Sequence, residues 1–304
     1  MDVVRAKFNN YRRPHFQTAT MVLERDNRRR VVKRGVLPES SEHITSLGAK
    51  YKALDITYRR FSVIPPIFVR GEAHFEFDRN VSLLAHLCSL VRAGDQEGFE
   101  LELMKFAGAV GDAAEARSNW WKSEAFVRIF GQVDAKSARP MLCLDPANVD
   151  LVFSNVHLRH DEHVPYTMFD YEWTFDFPVP LEYVIWRALN RFTATLRATT
   201  HQRWTIERLC RTVGVDIANQ PMFEAMEKCF QAYVYGEGFF HGTPESVHGP
   251  APIVDFEQLA SWVASSKGAP MRGKPRVRYP LLRRLLGPAL PLVLKVKRRL
   301  RGSR

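Results

Sequence analysis

The sequence is poor in cysteine and, over its last 33 residues, has no acidic side chain at all. Its four cysteines, Cys88, Cys143, Cys210 and Cys229, are too widely separated for a disulfide framework or for the close pairs of a zinc site. They read as free thiols in a reducing compartment. The apolar run LLGPALPLVL at 285–294 is interrupted by Pro288 and Pro291, and it falls short of the roughly 20 residues that a bilayer crossing needs. The opening stretch MDVVRAKFNNYRR turns polar at once and lacks the apolar region of a signal peptide, so a cytoplasmic location is expected.

The missing acids locate the charge. The formal net charge is +11, yet residues 272–304 hold twelve Lys or Arg. With those twelve set aside, the 44 basic residues fall to 32 against 33 acidic. The body is close to neutral, and the basicity belongs to the tail. Nucleic acid is therefore not the expected partner. Apolar side chains flanked by cations, as in RYPLLRRLL and KVKRRLRGSR, suit an anionic membrane surface, where each Lys or Arg contributes about 1 kcal/mol.

Along the chain, β-rich segments come first and helical periodicity later, an α+β order. FQTATMVLE at 16–24 and VVKR at 31–34 read as a hairpin across DNRR. Pro38 opens a helix whose Ile44, Leu47, Tyr51 and Leu54 form one apolar stripe. IPPIFV at 64–69 and AHFEF at 73–77 read as further strands. Helical spacing then covers 81–91, 99–110, 181–199, 203–213 and 221–235, interrupted between 142 and 170 by LCL, VHL and YTMFD as short strands. Residues 236–254 read as a surface loop. The expected organisation is an N-terminal β-rich lobe over 1–76, a helical lobe over 77–270 and a basic amphipathic tail over 271–304.

Three residues in the β interruption have the spacing of phosphoryl-transfer chemistry. In DLVFSN, Asp150 precedes Asn155 by five positions, and Asp170 ends a strand fifteen residues further on. A carboxylate that orients the attacking hydroxyl, with an amide oxygen and a second carboxylate to hold Mg²⁺ on the phosphates, is the set this reaction uses. Asp150 is then the catalytic residue, and Asn155 and Asp170 are metal ligands. The rival register, Asp145 and Asn148 in DPAN, has a separation of three and reads as a turn. Lys33, in the strand VVK, is placed to hold nucleotide phosphates. Its expected ion-pair partner lies on the following helix, where Glu39 is nearer than Glu42 to the apolar stripe. Glu76 and Phe77, where strands give way to helices, occupy the hinge position that would contact adenine. FQTATMVLERD contains no glycine, so a glycine-rich phosphate cradle is missing there, and Thr18 and Thr20 are candidates to replace it. His157, His160 and His163 straddle a polar turn, and no other Cys or His completes a zinc set.

These residues resemble the kinase-like domains attached to, or encoded beside, glycosyltransferases and methyltransferases of bacterial surface-polysaccharide synthesis. The resemblance spans most of the chain. It is carried by TATMVLERDNRRRVVKR, PESSEHI, FVRIFG and, most specifically, NVDLVFSNV at 148–156 and FDYEWTFDFPVPLEYVIWRAL at 169–189. It implies a protein-kinase-like two-lobed fold and an ATP- and Mg²⁺-dependent transfer onto a carbohydrate or lipid-linked glycan. It also implies a glycosyltransferase or methyltransferase partner, a position at the inner face of the cytoplasmic membrane, and supporting roles for Glu172 and Arg187. A catalytically silent scaffold of the same fold is the alternative.

Overall fold

The computed structural model describes residues 2–134, 139–197 and 204–236. The expected loop at 236–254 past Gly236, the tail at 271–304 and the stretch 198–203 lie outside the described residues.

Chain order begins with β1 (Asp2–Phe8), β2 (Thr18–Arg25) and β3 (Arg28–Gly35). Next come α1 (Ser41–Thr45), α2 (Leu47–Thr57), β4 (Phe61–Val63), β5 (Ile67–Val69) and β6 (Glu72–Glu76). Strands β1, β2, β3, β6 and β5, in that order, form one antiparallel sheet with β3 at its centre. The β2–β3 hairpin turns on Asp26 and Asn27, both at positive φ (52° and 60°), the conformation that Asp and Asn tolerate best after glycine.

Two expectations about this region are corrected, and one strand is added to it. The polar opening segment is a strand: β1 is half-exposed and carries Asp2, Arg5 and Lys7, so its order comes from pairing with β2 rather than from its own apolar content. The strand expected at 64–69 is confined to Ile67–Val69, because Pro65 and Pro66 cannot donate to a ladder, and a separate short strand, β4, precedes the prolines. The helix expected from Pro38 starts as a 3-10 turn, Pro38–Ser40, and is broken at Ser46, whose hydroxyl donates to the His43 carbonyl at 2.8 Å. Its stripe survives the break, and Ile44, Leu47 and Leu54 are buried.

The second part begins with α3 (Leu83–Ala93), α4 (Gln96–Gly111), β7 (Ala114–Arg117), α5 (Glu124–Phe130), β8 (Met141–Leu144) and β9 (Ala147–Asn148). It continues with β10 (Val156–Leu158), β11 (Tyr166–Met168), β12 (Thr174–Phe175), β13 (Val179–Pro180), α6 (Leu181–Arg197), α7 (Ile206–Val213) and α8 (Gln220–Tyr235). Helix starts follow their capping residues: Ser82, Ser123 and Thr205 each accept a backbone N–H in the first turn. An N-terminal sheet with its helix, followed by a helical part that carries the β10–β11 hairpin, is a protein-kinase-like α+β fold. The two parts are joined by β4, which pairs in parallel with β11.

Aromatic side chains dominate the core of the helical part. The Phe130 ring lies 5.1 Å from Phe126, 5.5 Å from Tyr183 and 6.0 Å from Phe230, centroid to centroid, so α5, α6 and α8 share one cluster. Gly131 closes α5 at φ 78°, ψ −178°, a region open essentially to glycine alone. A Cβ there would stand 2.7 Å from Cys229 Sγ on α8. Gly131→Ala is therefore expected to lower stability by about 1–3 kcal/mol through strain and overpacking, measurable by urea denaturation.

Candidate active site

Asn155 and Asp170 converge because the β10–β11 hairpin brings its two ends together. Val156 pairs with Met168, and the Phe169 N–H donates to the Asn155 carbonyl at 3.2 Å. Asn155, just before one strand, and Asp170, just after the other, are thus held side by side. Asp170 sits at φ 60°, a left-handed conformation that costs a non-glycine residue of order 1–3 kcal/mol and persists where the surroundings impose it.

Asp150 follows β9 and is fixed from two directions. The Asn155 amide donates to its backbone carbonyl at 2.9 Å and to its carboxylate at 3.2 Å. The Arg187 guanidinium, reaching up from α6, donates to Asp150 Oδ1 at 3.1 Å and to the Val149 carbonyl, with Glu227 of α8 holding its other edge at 2.8 Å. Burial disfavours the Arg187 charge, but Glu227 and Asp150 outweigh it and raise the group further. Arg187, expected to support the site, thus holds the Asp150 carboxylate in a fixed orientation.

Lys33 projects from the central strand and donates to Asp170 Oδ1 and to Glu172 Oε1, both at 2.6 Å. This corrects the expected partner. Glu39 and Glu42 of the following helical segment both border a separate cavity, and the carboxylate that meets Lys33 is Glu172, two residues beyond Asp170. The helical segment instead offers basic groups: His43 Nε2 lies 3.6 Å from Glu172 Oε2, its imidazole pushed toward the neutral form by burial, and Lys50 donates to the Glu172 carbonyl. A further cation, Arg12, reaches Glu172 Oε2 at 2.5 Å from the β1–β2 connection.

Charge balance follows from this inversion. Burial opposes ionisation of Glu172, but Lys33 and Arg12, with His43 behind them, hold it well below the usual carboxylate range. Burial pushes Asp170 upward, against the pull of Lys33. Burial also pushes Lys50 down to about 8, with Glu172 opposing and Lys33 reinforcing the shift. Between that value and the ordinary 10.5 the unfolded chain binds more protons than the folded one, so this group makes stability rise with pH. Lys50→Met is expected to remove that rise, worth at most about 3 kcal/mol over the window, as read from unfolding free energies of both proteins at pH 7.5 to 10.

One cavity of about 440 Å³ is lined by Asp150, Asn155, Asp170, Lys7, Arg12 and Arg187, among others. Other sequence-level candidates lie elsewhere. Glu76 and Phe77 line a different cavity beside Arg28 to Arg30, with the Phe77 ring under the Arg29 guanidinium. Thr18 is buried and accepts from Asn9 and Arg12, so it pins the β1–β2 connection and does not line that cavity. His157 pairs with Asp78 at 3.0 Å, and its ring packs at a tilt against Phe169. Trp173 packs against Phe16, His43 and Phe230. Sequence reasoning missed Arg12 and Glu227, and no local motif marks either one.

No protein-family model matches the sequence, and no curated protein matches it. Among solved structures the chain is similar to an aminoglycoside phosphotransferase at 8% identity, covering 87% of this chain and 92% of that one, with a TM-score of 0.41. It is similar to a macrolide 2'-phosphotransferase from Brachybacterium faecium at 12% identity, covering 82% and 94%, with a TM-score of 0.38. It is also similar to an ethanolamine kinase of Plasmodium vivax at 10% identity, covering 88% and 84%, with a TM-score of 0.34.

Proposed function

We propose that this chain transfers the γ-phosphoryl group of ATP, with Mg²⁺, to a hydroxyl of a carbohydrate or lipid-linked glycan in cell-surface polysaccharide synthesis. The observation that carries the reading is the convergence of Lys33, Asp150, Asn155 and Asp170, drawn from distant parts of the chain. Three of them line one cavity, and Lys33 is ion-paired to Asp170 on its wall.

The donor set fits the proposed cofactors. Mg²⁺ on a nucleotide takes one or two protein oxygens and completes its shell with phosphate and water. Asn155 Oδ1 and the Asp170 carboxylate supply such a set. The metal would neutralise charge on the phosphates. Asp150, with its carboxylate oriented by Arg187, accepts the proton of the attacking hydroxyl, and Lys33 balances charge near the nucleotide. The basic segment 272–304 supports a place at the anionic inner face of the membrane, beside a glycosyltransferase or methyltransferase partner. No helix among the described residues is long and apolar enough to cross a membrane.

A second reading, a catalytically silent scaffold of the same fold, is favoured by the β1–β2 connection. Its sequence NNYRRPHFQ lacks glycine, and its Arg13 N–H is tied to the Val234 carbonyl at 2.9 Å. The deciding experiment is a screen for phosphate transfer from ATP onto sugars, lipid-linked oligosaccharides and proteins, with Asp170→Ala as the metal-site control. Transfer lost in Asp170→Ala supports the enzyme. Nucleotide binding without transfer to any acceptor, unaltered in Asp150→Asn, favours the scaffold.

A further inference from the structure

We infer that Lys7 and Arg12 form the phosphate clamp of this site, replacing with side-chain cations the backbone amides that a glycine-rich loop would supply. Their ligand class is the polyphosphate of a nucleoside triphosphate. The inference rests on the phosphotransferase reading above and specifies how that site can hold nucleotide without glycines.

The first two strands of the sheet are β1 and β2, and their connection, Asn9–Gln17, places Arg12 on the cavity wall, whereas no residue of the β2–β3 turn lines it. The connection too lacks glycine, and none of its residues has positive φ. A nest of converging N–H groups needs alternating left-handed residues, so this backbone is not built as an amide cradle.

Cations are placed where amides are missing. Lys7 pairs across the sheet with Thr20, and Thr20 pairs with Lys33. Directly paired residues share a face, so Lys7, Thr20 and Lys33 form one row on the face that bears Lys33. Lys7 is exposed, and it lines the same cavity as Asp150 and Asp170. It has no ion pair among the described residues.

Arg12 is preorganised. It is only 8% exposed. Its NH1 donates to Glu172 Oε2, Thr18 Oγ1 and the Phe16 carbonyl, and its guanidinium lies 5.2 Å from the Trp173 ring centroid. Gln17 donates to the Arg12 carbonyl at 2.9 Å and fixes the backbone. The Nε is buried yet has no hydrogen-bond partner, and the side chain borders the catalytic cavity. A planar guanidinium locked on one edge, with donor capacity left over, suits recognition of phosphate oxygens.

The test measures binding of ATP, ADP, AMP and adenosine to the full chain with Mg²⁺, for the parent, Lys7→Met, Arg12→Lys and Arg12→Met. The parent is expected to bind ATP much more tightly than adenosine. Lys7→Met should weaken ATP about 5-fold, and Arg12→Met about 10- to 100-fold, with adenosine unchanged and Arg12→Lys intermediate. Arg12 also supports Glu172, so Lys7→Met, at an exposed position, keeps the test independent of folding. A parent that prefers ATP while Lys7→Met and Arg12→Lys retain that preference in full overturns the clamp and leaves the phosphotransferase reading standing. A parent that binds ATP no better than adenosine removes both.

Discussion

Replacing Glu172 by glutamine should destabilise the protein by about 3–5 kcal/mol, the loss expected when one member of a buried ionic cluster is removed and its partners stay charged. Lys33 is 5% exposed and Arg12 8%, and in the variant neither could recover its hydration. The amide would also turn a donor toward two cationic donors. Acid titration supplies an independent readout. Glu172 is held below its ordinary value of 4.5, so its stabilisation is complete above that pH and declines as pH falls through the depressed folded value. The parent should lose stability over that acid range, and Glu172→Gln should lose less because its contribution is already gone. Glu39→Gln, at an exposed carboxylate of the helix start, should stay within about 0.5 kcal/mol of the parent. Urea denaturation across pH 3 to 7 measures all three. A Glu39→Gln protein as damaged as Glu172→Gln would refute the inverted ion pair.

The second large effect is on chemistry. Asp150→Asn should lower the phosphoryl-transfer rate by about 10²- to 10⁴-fold, the usual contribution of a positioned acid–base group. Nucleotide affinity should change little, because Lys33 and Asp170 are untouched. The fold should also hold, because Arg187 keeps its bonds to Glu227 and to the Val149 carbonyl. Asp170→Ala should differ in kind. It removes a proposed metal ligand and one of the two carboxylates on Lys33, so both transfer and the Mg²⁺ dependence of ATP binding should be lost. Single-turnover rates alongside nucleotide titrations separate the two. Equal loss of ATP binding in both variants would contradict the division of roles between them.

The structure bears on the sequence reading unevenly, for reasons visible in particular residues. The β2–β3 hairpin was legible because its strands are rich in β-formers and its turn holds Asp26 and Asn27. The β10–β11 hairpin was legible from VHL and YTM around a polar turn. β1 was not, since an edge strand built from DVVRAKF has too many charges to show an apolar alternation and depends on its neighbour. That strand matters for function, because the β1–β2 connection it creates carries Arg12 onto the cavity wall. Helical angle alone favours Glu39 as the partner of Lys33. Nothing in a helical wheel reports that a carboxylate two residues after Asp170 already occupies that place.

By itself, the sequence determined what short-range chemistry can encode. Examples are the Asp150 to Asn155 spacing, the strand end at Asp170, the lysine in VVK, the helix caps and the confinement of excess positive charge to 272–304. Spacing and periodicity are properties of neighbours along the chain, and neighbours are all a sequence displays. Tertiary structure alone decided which charges meet. Lys33 finds Glu172 at a separation of 139 residues, and Arg12 finds it at 160. Buried charges must be matched wherever packing brings them together, so their pairing is set by how the sheet, the hairpin and α8 close on one another.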